Sequence, residues 1–212
     1  MAELQRLFEA IVNGDAKAAL ALTQQAVAEN VPAGEIISGY MIPAMDEVGQ
    51  KFECEDYFVP ELLLSGRAMK GALEVLRPLL AAAGAEPTGR VVIGTVKGDL
   101  HDIGKNLVAS MLEGGGFEVH DLGADVSPER FIEAAATHKA DIVALSALLT
   151  VTMPAMRTTV DAFKTAGVRD SVKIIVGGAP VTSSFAKEIG ADGFSDSASA
   201  AVNLARGLLK AG

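Results

Sequence analysis

The feature that most constrains the fold is a repeat of short apolar runs and helical stretches that begins at Arg90. The first run is continuously apolar and rich in β-branched residues, which is typical of a strand buried on both faces of a parallel sheet. The predicted strands are residues 91–96, 117–121, 142–146, 173–176 and 193–195, and the predicted helices are 103–113, 128–138, 154–166, 182–189 and 198–210. This alternation predicts a five-stranded, parallel, doubly wound Rossmann-like sheet, and we expect the flavodoxin-like strand order 2-1-3-4-5.

The first 85 residues have a different pattern, in which apolar side chains recur at helical spacing. Asp15 is placed to cap a second helix, and Pro43 is expected to kink or delay a third. The first predicted helix starts near Leu4, and the second covers 16–30. The third covers 35–52 after a turn at 32–34, and the fourth runs from about Pro60 to residue 83. Four helices with short connections predict an all-α bundle.

A stretch rich in Gly, Pro and Thr, residues 83–89, separates the two patterns. We therefore expect a helical domain over residues 1–85, a linker over 86–89 and a Rossmann-like domain over 90–212.

Charge and cysteine content argue against several classes of protein. The formal net charge of −9 disfavours nucleic acid and anionic membranes as partners. The single cysteine, Cys54, can form neither an intramolecular disulfide nor a structural zinc site on its own. The N-terminus lacks the basic and apolar regions of a signal peptide, and the apolar runs are too short to cross a bilayer. These features predict a cytoplasmic protein.

Ligands of doubly wound sheets bind beyond the carboxyl ends of the strands, near the point where the strand order reverses. That rule directs attention to the loops 97–102, 122–126, 146–153 and 177–181.

The first of these loops holds an aspartate and a histidine two residues apart, Asp99 and His101. One imidazole nitrogen can bind a metal while the other donates to a carboxylate, which fixes the ring. A single histidine does not complete a zinc site, but it suits a metal that is already held in a macrocycle and needs only an axial ligand. The alternative is a capped turn, in which Asp99 or Asp102 caps the next helix and His101 is exposed to solvent.

Residues 98–106, Gly-Asp-Leu-His-Asp-Ile-Gly-Lys-Asn, resemble the signature of the cobalamin-binding domain of methionine synthase and its relatives. In that family the cofactor's lower nucleotide base leaves the cobalt and threads a channel in the sheet, and the motif histidine replaces it. The resemblance implies cobalamin or a related corrinoid as cofactor, His101 as lower axial ligand of the cobalt, and Asp99 hydrogen-bonded behind it. The other cofactor contacts implied in this loop are Gly98, Leu100, Asp102, Ile103 and Gly104.

Residues 145–150 resemble the family's SxL loop, whose hydroxyls meet the buried nucleotide tail. The resemblance implies contacts from Ser146, Leu148 and Thr150. Thr152 stands where methionine synthase has a serine that completes a His–Asp–Ser relay. This departure keeps the hydroxyl but adds a stiff methyl group, so the relay role of Thr152 is left open.

Two further regions resemble the family. Gly177 and Gly178 match the glycine pair that lines the tail channel, with an ordinary turn as the alternative, and Ser197 completes the expected set of cofactor contacts. Residues 48–52 and 58–62 resemble the helical cap over the methyl-bearing face of the cobalt. That match implies that Phe52 and Val59 shield the methyl group, and the alternative for both is ordinary bundle core.

The resemblance covers nearly the full chain and is nearest to the small freestanding corrinoid proteins of methyltransferase systems. These serve donors such as methylamines, methanol, glycine betaine or aryl methyl ethers. The resemblance implies a methyl carrier that is not catalytic alone. Its implied partners are a substrate-specific methyltransferase, a second methyltransferase that methylates tetrahydrofolate or coenzyme M, and a reductive reactivating protein.

Three other functions stay open. A cobalamin-dependent sensor or regulator shares the cap and the motif but normally carries a DNA-binding domain. A cobalamin subunit of a mutase uses adenosylcobalamin and lacks this cap. A flavodoxin-like binding protein without a cofactor would need neither feature.

Overall fold

The computed structural model describes residues 2–83 and 86–210, and the chain forms two compact units. One unit contains the residues up to Pro87 together with Ser110–Gly116, and the other contains Thr88–Ala109 and the chain from Phe117 onwards. The sequence pattern assigns Ser110–Gly116 to the second domain, but this segment groups with the first unit. Gly84 and Ala85, in the linker stretch, lie outside the described residues.

The first unit is a bundle of helices whose apolar sides face one another. Its helices are α1 (Ala2–Val12), α2 (Ala16–Ala28), α3 (Ala33–Ile36), α4 (Ile42–Glu53) and α5 (Val59–Ala82). Helix α2 packs on α1 and α5, and α4 packs on the same two helices. Leu7, Ile11 and Leu62 are fully buried among them. Because α3 and α4 continue one helical path, they correspond together to the third predicted helix. The predicted bundle is therefore confirmed.

Two local predictions for the bundle have different outcomes. The Asp15 carboxylate accepts the backbone N–H of Ala18 at 2.9 Å, which confirms the predicted cap of α2. The predicted turn at 32–34 was wrong in extent, because Pro32 is the extended N-cap and the helix begins at Ala33. A π-helical turn, Ile37–Met41, lies just before Pro43, which lacks the N–H that an α-helix would require there.

The second unit is built on a five-stranded sheet in which every pairing is parallel. Its strands are β1 (Arg90–Thr95), β2 (Glu118–Asp121), β3 (Ile142–Ser146), β4 (Lys173–Gly177) and β5 (Gly193–Ser195). The strand order is β2-β1-β3-β4-β5, which confirms the predicted order. The chain leaves β1 for one edge of the sheet and returns to the other side of β1 at β3, so the order reverses between β1 and β3.

Helices follow each strand and begin at the carboxyl edge of the sheet. They are α6 (Ile103–Gly114), α7 (Pro128–Thr137), α8 (Met153–Thr165), α9 (Ser183–Ile189) and α10 (Ala198–Lys210). The hydroxyls of Ser127 and Thr182 cap α7 and α9. Over the described ranges, no helix combines the length and apolarity that crossing a membrane requires. The connection from each strand to its helix therefore lies at the edge where ligands of such sheets bind.

Candidate functional site

The loops after β1 and β3 bring together three side chains at the point where the strand order reverses. One carboxylate oxygen of Asp99, Oδ1, lies 2.8 Å from Nδ1 of His101. The other, Oδ2, accepts the hydroxyl of Thr152 at 2.7 Å. The carbonyl of Leu149 is also 2.8 Å from that hydroxyl, but the charged acceptor forms the stronger bond. The three residues form one hydrogen-bonded row, His101–Asp99–Thr152.

The carboxylate at the centre of this row is fully buried and hydrogen-bonded on both oxygens. Oδ1 also accepts the backbone N–H of His101 at 3.0 Å, and Oδ2 accepts that of Leu148 at 2.8 Å. Burial by itself raises the pKa of Asp99. The bonds from the Thr152 hydroxyl, the two backbone N–H groups and the imidazole outweigh that effect and hold the pKa far below its ordinary value. Asp99 is therefore a fixed, ionised acceptor.

This geometry determines which nitrogen of His101 is available. Because Asp99 only accepts, Nδ1 carries the hydrogen of the shared bond, and Nε2 of the neutral ring keeps its lone pair. Nε2 makes no hydrogen bond to any described residue, and the side chain is 50% exposed. The buried Thr95 hydroxyl donates to the carbonyl of His101 at 2.9 Å, which also fixes the backbone. The arrangement therefore fixes the imidazole ring and leaves Nε2 available to a ligand.

The capped-turn alternative is wrong for Asp99, whose oxygens serve His101 and the loop after β3. It is closer for Asp102, which is exposed at the start of α6, where its carboxylate and carbonyl accept from the side chain and backbone of Asn106.

Large apolar side chains around His101 are exposed, which fits a bulky, largely apolar ring. Leu100, Ile103 and Val151 are 76%, 74% and 80% exposed, and Leu148 is exposed as well. Within residues 2–83 and 86–210, no group of three or more His, Cys, Asp or Glu side chains is placed to hold a bare metal ion. One imidazole among exposed apolar groups fits a metal that brings its other ligands in a macrocycle.

The loop after β2 supplies a residue that the sequence reasoning missed. Oδ1 of Asp125 accepts the backbone N–H of Gly98 at 2.8 Å, and Oδ2 pairs with Nζ of Lys97 at 3.1 Å. The backbone N–H of Asp125 donates to the carbonyl of Asp99 at 2.9 Å. The Gly98 bond, followed by Lys97, lowers the pKa of Asp125. The loop 122–126 was predicted to lie at the site, but the sequence contained no signal for the role of Asp125 except its acidic side chain.

A second missed feature is a buried lysine at the start of α6. The amine of Lys105 pairs with the carboxylate of Asp121, at the end of β2, and donates to Oδ1 of Asn106 at 2.6 Å. Its side chain is almost fully buried, so the pair ties α6 to β2 just beyond His101. Sequence alone offers Lys105 only as part of the matched motif.

The glycines of the site have different structural needs. Gly178 has φ +134°, and a Cβ there would lie 1.9 Å from the carbonyl oxygen of Ala147. A Cβ on Gly177 would lie 3.1 Å from the carbonyl oxygen of Ser195. Gly98 needs its left-handed φ of +85°, whereas a Cβ on Gly104 would meet no described atom within 4 Å. Adjacent backbone thus requires glycine at position 178 and leaves little room for a side chain at Gly177, whereas Gly104 has no such need among the described residues.

The remaining predicted contacts lie at the same edge of the sheet. Ser146 ends β3 beside Gly177 of β4, and Leu148 and Thr150 follow it as exposed residues. Ser197 lies directly before α10, where its hydroxyl accepts the N–H of Ala200 at 3.2 Å. The Ser197 hydroxyl therefore has a helix-capping contact within the protein.

The helical unit places Phe52 near the end of α4 and Val59 at the start of α5. Phe52 is half-buried, while Val59 and the neighbouring Phe58 are exposed. Core packing within this unit therefore does not account for Val59.

Comparison with known proteins gives matches across both units. A family profile described as a B12 binding domain matches residues 89–204, and a second with the same description matches residues 3–77. Dimethylamine corrinoid protein 1 of Methanosarcina acetivorans is 42% identical over 207 residues, which are 97% of this chain and 97% of that protein.

Two solved structures have the same fold. A cobalamin-binding protein from Desulfitobacterium hafniense has a TM-score of 0.80 at 34% identity, over 97% of this chain and 98% of that chain. The methanol:cobalamin methyltransferase complex of Methanosarcina barkeri has a TM-score of 0.88 at 25% identity, over 100% of this chain and 81% of that chain.

Proposed function

The chain belongs to the B12-binding corrinoid proteins, and from this membership we propose that it carries a methyl group between two methyltransferases, with His101 as lower axial ligand of the cobalt. Its cofactor is cobalamin or a related corrinoid. The observation that carries the proposal is the oriented imidazole, whose Nδ1 is held by buried Asp99 and whose Nε2 is available. When bound, the cobalt of the corrinoid supplies the chemistry, taking up a methyl group and giving it up again.

In this proposal Asp99 and Thr152 set the properties of His101. The Nδ1–H···Oδ1 bond keeps the hydrogen off Nε2 and makes the ring a better donor to a metal. The Thr152 hydroxyl and the loop amides keep the carboxylate ionised and stationary. The short Asp99–Thr152 distance supports the relay role that the substitution of threonine for serine left open.

The other predicted contacts surround this ligand in the proposal. Gly98, Leu100, Asp102, Ile103 and Gly104 belong to the His101 loop and the first turn of α6. Ser146, Leu148, Thr150, Gly177, Gly178 and Ser197 follow or end β3, β4 and β5, and we propose that they hold the nucleotide tail. Their position at one edge of the sheet supports this assignment. We also propose that Phe52 and Val59 of the helical domain, residues 1–85, shield the methyl group.

We propose a methylated amine as the methyl donor, because the relative at 42% identity is a dimethylamine corrinoid protein. The proposed partners are a methylamine methyltransferase, a second methyltransferase for the acceptor and a reductive reactivating protein, all in the cytoplasm. We expect methylamine methyltransferases, supplied with their amines, to methylate the reduced holoprotein. The change in corrinoid absorption measures this methylation. A methanol methyltransferase with methanol serves as control. Methylation by the methanol system alone would contradict the amine assignment.

The axial-ligand proposal predicts the spectrum of a His101→Ala variant. The variant should bind the corrinoid but lose the nitrogen splitting that an axial imidazole gives to the electron spin resonance of cobalt(II). Labelling the protein's histidines with the heavier nitrogen isotope should change that splitting in the wild type, since a nitrogen of the cofactor's own base would be unaffected.

His138→Ala is the matched control for that variant. His138 caps the far end of α7 and stacks on His120, away from the Asp99 loop. This variant should keep the wild-type splitting. An unchanged spectrum in His101→Ala would show that His101 is not the ligand.

A further inference from the structure

We infer that Asp125 is a positioning residue that holds the Asp99 segment in the geometry required for axial ligation by His101. The inference rests on the proposed function, because it assigns a further residue to the same ligand. Asp125 forms no hydrogen bond or ion pair with His101. It acts on the backbone on both sides of Asp99.

Three contacts of Asp125 converge on this segment. Its carboxylate accepts the N–H of Gly98, directly before Asp99, and pairs with Lys97. The backbone N–H of Asp125 donates to the carbonyl of Asp99. The Lys97–Gly98 peptide group and the carbonyl of Asp99 are therefore both bonded to one residue of the neighbouring loop.

This double attachment matters because of the conformation of Gly98. With φ +85°, Gly98 turns the chain sharply between the end of β1 and Asp99. Glycine is the residue with the widest range of backbone conformations, so the turn by itself does not fix the direction of the following residue. The bond from the Asp99 N–H to the Val96 carbonyl at 3.1 Å closes the turn, and the two bonds to Asp125 restrain the backbone before and after Gly98. Since Asp99 Oδ1 holds Nδ1 of His101, a change at the turn is transmitted to the imidazole.

The loop that contains Asp125 has anchors other than the Asp125 carboxylate. The loop is anchored to β1 by backbone bonds from Thr95 N–H to the carbonyl of Gly123 at 2.9 Å and from Val126 N–H to the carbonyl of Thr95 at 3.0 Å. The carboxylate lies at the surface, 42% exposed, and its ion pair with exposed Lys97 contributes little to stability. Removal of the carboxylate should therefore leave a folded domain with a less restrained Asp99.

The backbone of Asp125 determines which variants are informative. Its φ of +54° lies in the left-handed region, which strains alanine but suits glycine and asparagine. Asp125→Gly removes the acceptor without this strain, and Asp125→Asn keeps an oxygen that accepts the Gly98 N–H. Lys97→Met removes only the ion pair.

The test compares the three variants as cobalt(II) holoproteins by electron spin resonance. Loss of the groups that hydrogen-bond to a metal-bound histidine typically weakens metal binding by about 10- to 100-fold. We therefore expect Asp125→Gly to lower the ratio of ligated to unligated His101 about tenfold. Asp125→Asn and Lys97→Met should stay near the wild-type ratio. Cofactor stoichiometry and the unfolding temperature of the apoprotein should be similar in all three.

A wild-type ratio in Asp125→Gly would overturn the inference, and so would an equal loss in Asp125→Asn. A large drop in unfolding temperature in Asp125→Gly would assign the residue to the fold instead. If the wild-type protein shows no histidine nitrogen on cobalt, the proposed function fails and the positioning role fails with it. A histidine signal in the wild type that persists in Asp125→Gly leaves the proposed function intact and removes only this inference.

Discussion

Replacement of Asp99 by alanine is expected to lower the free energy of unfolding by about 3 to 5 kcal/mol and to abolish ligation by His101. The carboxylate is fully buried and accepts from the His101 imidazole and the Thr152 hydroxyl. It also accepts from the backbone N–H groups of His101, Leu148 and, at 3.4 Å, Leu149. Alanine leaves the backbone N–H groups without this acceptor and the Thr152 hydroxyl with only the Leu149 carbonyl. Each buried donor left unsatisfied costs about 1 to 3 kcal/mol. Denaturant unfolding of the apoprotein at neutral pH measures the loss.

Two milder variants are controls for this result. Asp99→Asn keeps one accepting oxygen, and Thr152→Val removes a single donor while keeping the shape of the side chain. Each is expected to cost about 1 to 2 kcal/mol. An Asp99→Ala protein as stable as Thr152→Val would contradict the view that the carboxylate organises the loops after β1 and β3.

The pH dependence of stability gives a further check on Asp99. Its folded-state pKa is lowered from the ordinary value of 3.8, so the folded protein favours the ionised form. The stabilisation is therefore fully present above about pH 4 and is lost as the pH falls through the lower, folded-state pKa. Below pH 4 the wild type should lose stability more steeply than Asp99→Asn. Parallel curves would show that the carboxylate does not contribute in this way.

The sequence predicted the sheet and the His101–Asp99 pair because both depend on patterns that are local or repeated. Each buried strand is a continuous apolar run, and the rule for parallel sheets places the loop after β1 at the ligand-binding edge. Asp99 and His101 lie two residues apart in that loop, so their contact needs no information from the rest of the chain.

Asp125 and Lys105 could not be predicted in the same way, because their contacts depend on tertiary structure. Asp125 meets Gly98 across 27 positions, and Lys105 meets Asp121 across 16. Nothing in the composition of either segment distinguishes these residues from ordinary surface charges. The pairing of β1 with β2 brings the segments together, and strand order alone does not say which side chains then meet.

Replacement of Gly178 by alanine is expected to destabilise the second unit by about 3 to 5 kcal/mol, the sum of backbone strain and overpacking. A Cβ at this position would lie 1.9 Å from the carbonyl oxygen and 2.9 Å from the carbonyl carbon of Ala147. Those atoms are backbone of the residue directly after β3, whose N–H donates to the carbonyl of Gly177 at 3.3 Å, so no flexible side chain can move to make room. Denaturant unfolding of the apoprotein measures the cost without any contribution from the cofactor.

Gly104→Ala is the matched control for Gly178→Ala, because it adds the same methyl group where no described atom lies within 4 Å. Gly104 is in the first turn of α6, where alanine has a higher helix propensity than glycine by up to about 1 kcal/mol. The apoprotein should therefore be unchanged or slightly more stable, while corrinoid affinity should fall if the cofactor packs against this turn. Gly178→Ala with wild-type apoprotein stability would contradict the close approach to Ala147. Unchanged affinity in Gly104→Ala would instead place the corrinoid away from the start of α6. The expected pair of results would separate the glycine that the fold requires, Gly178, from the glycine that the ligand requires, Gly104.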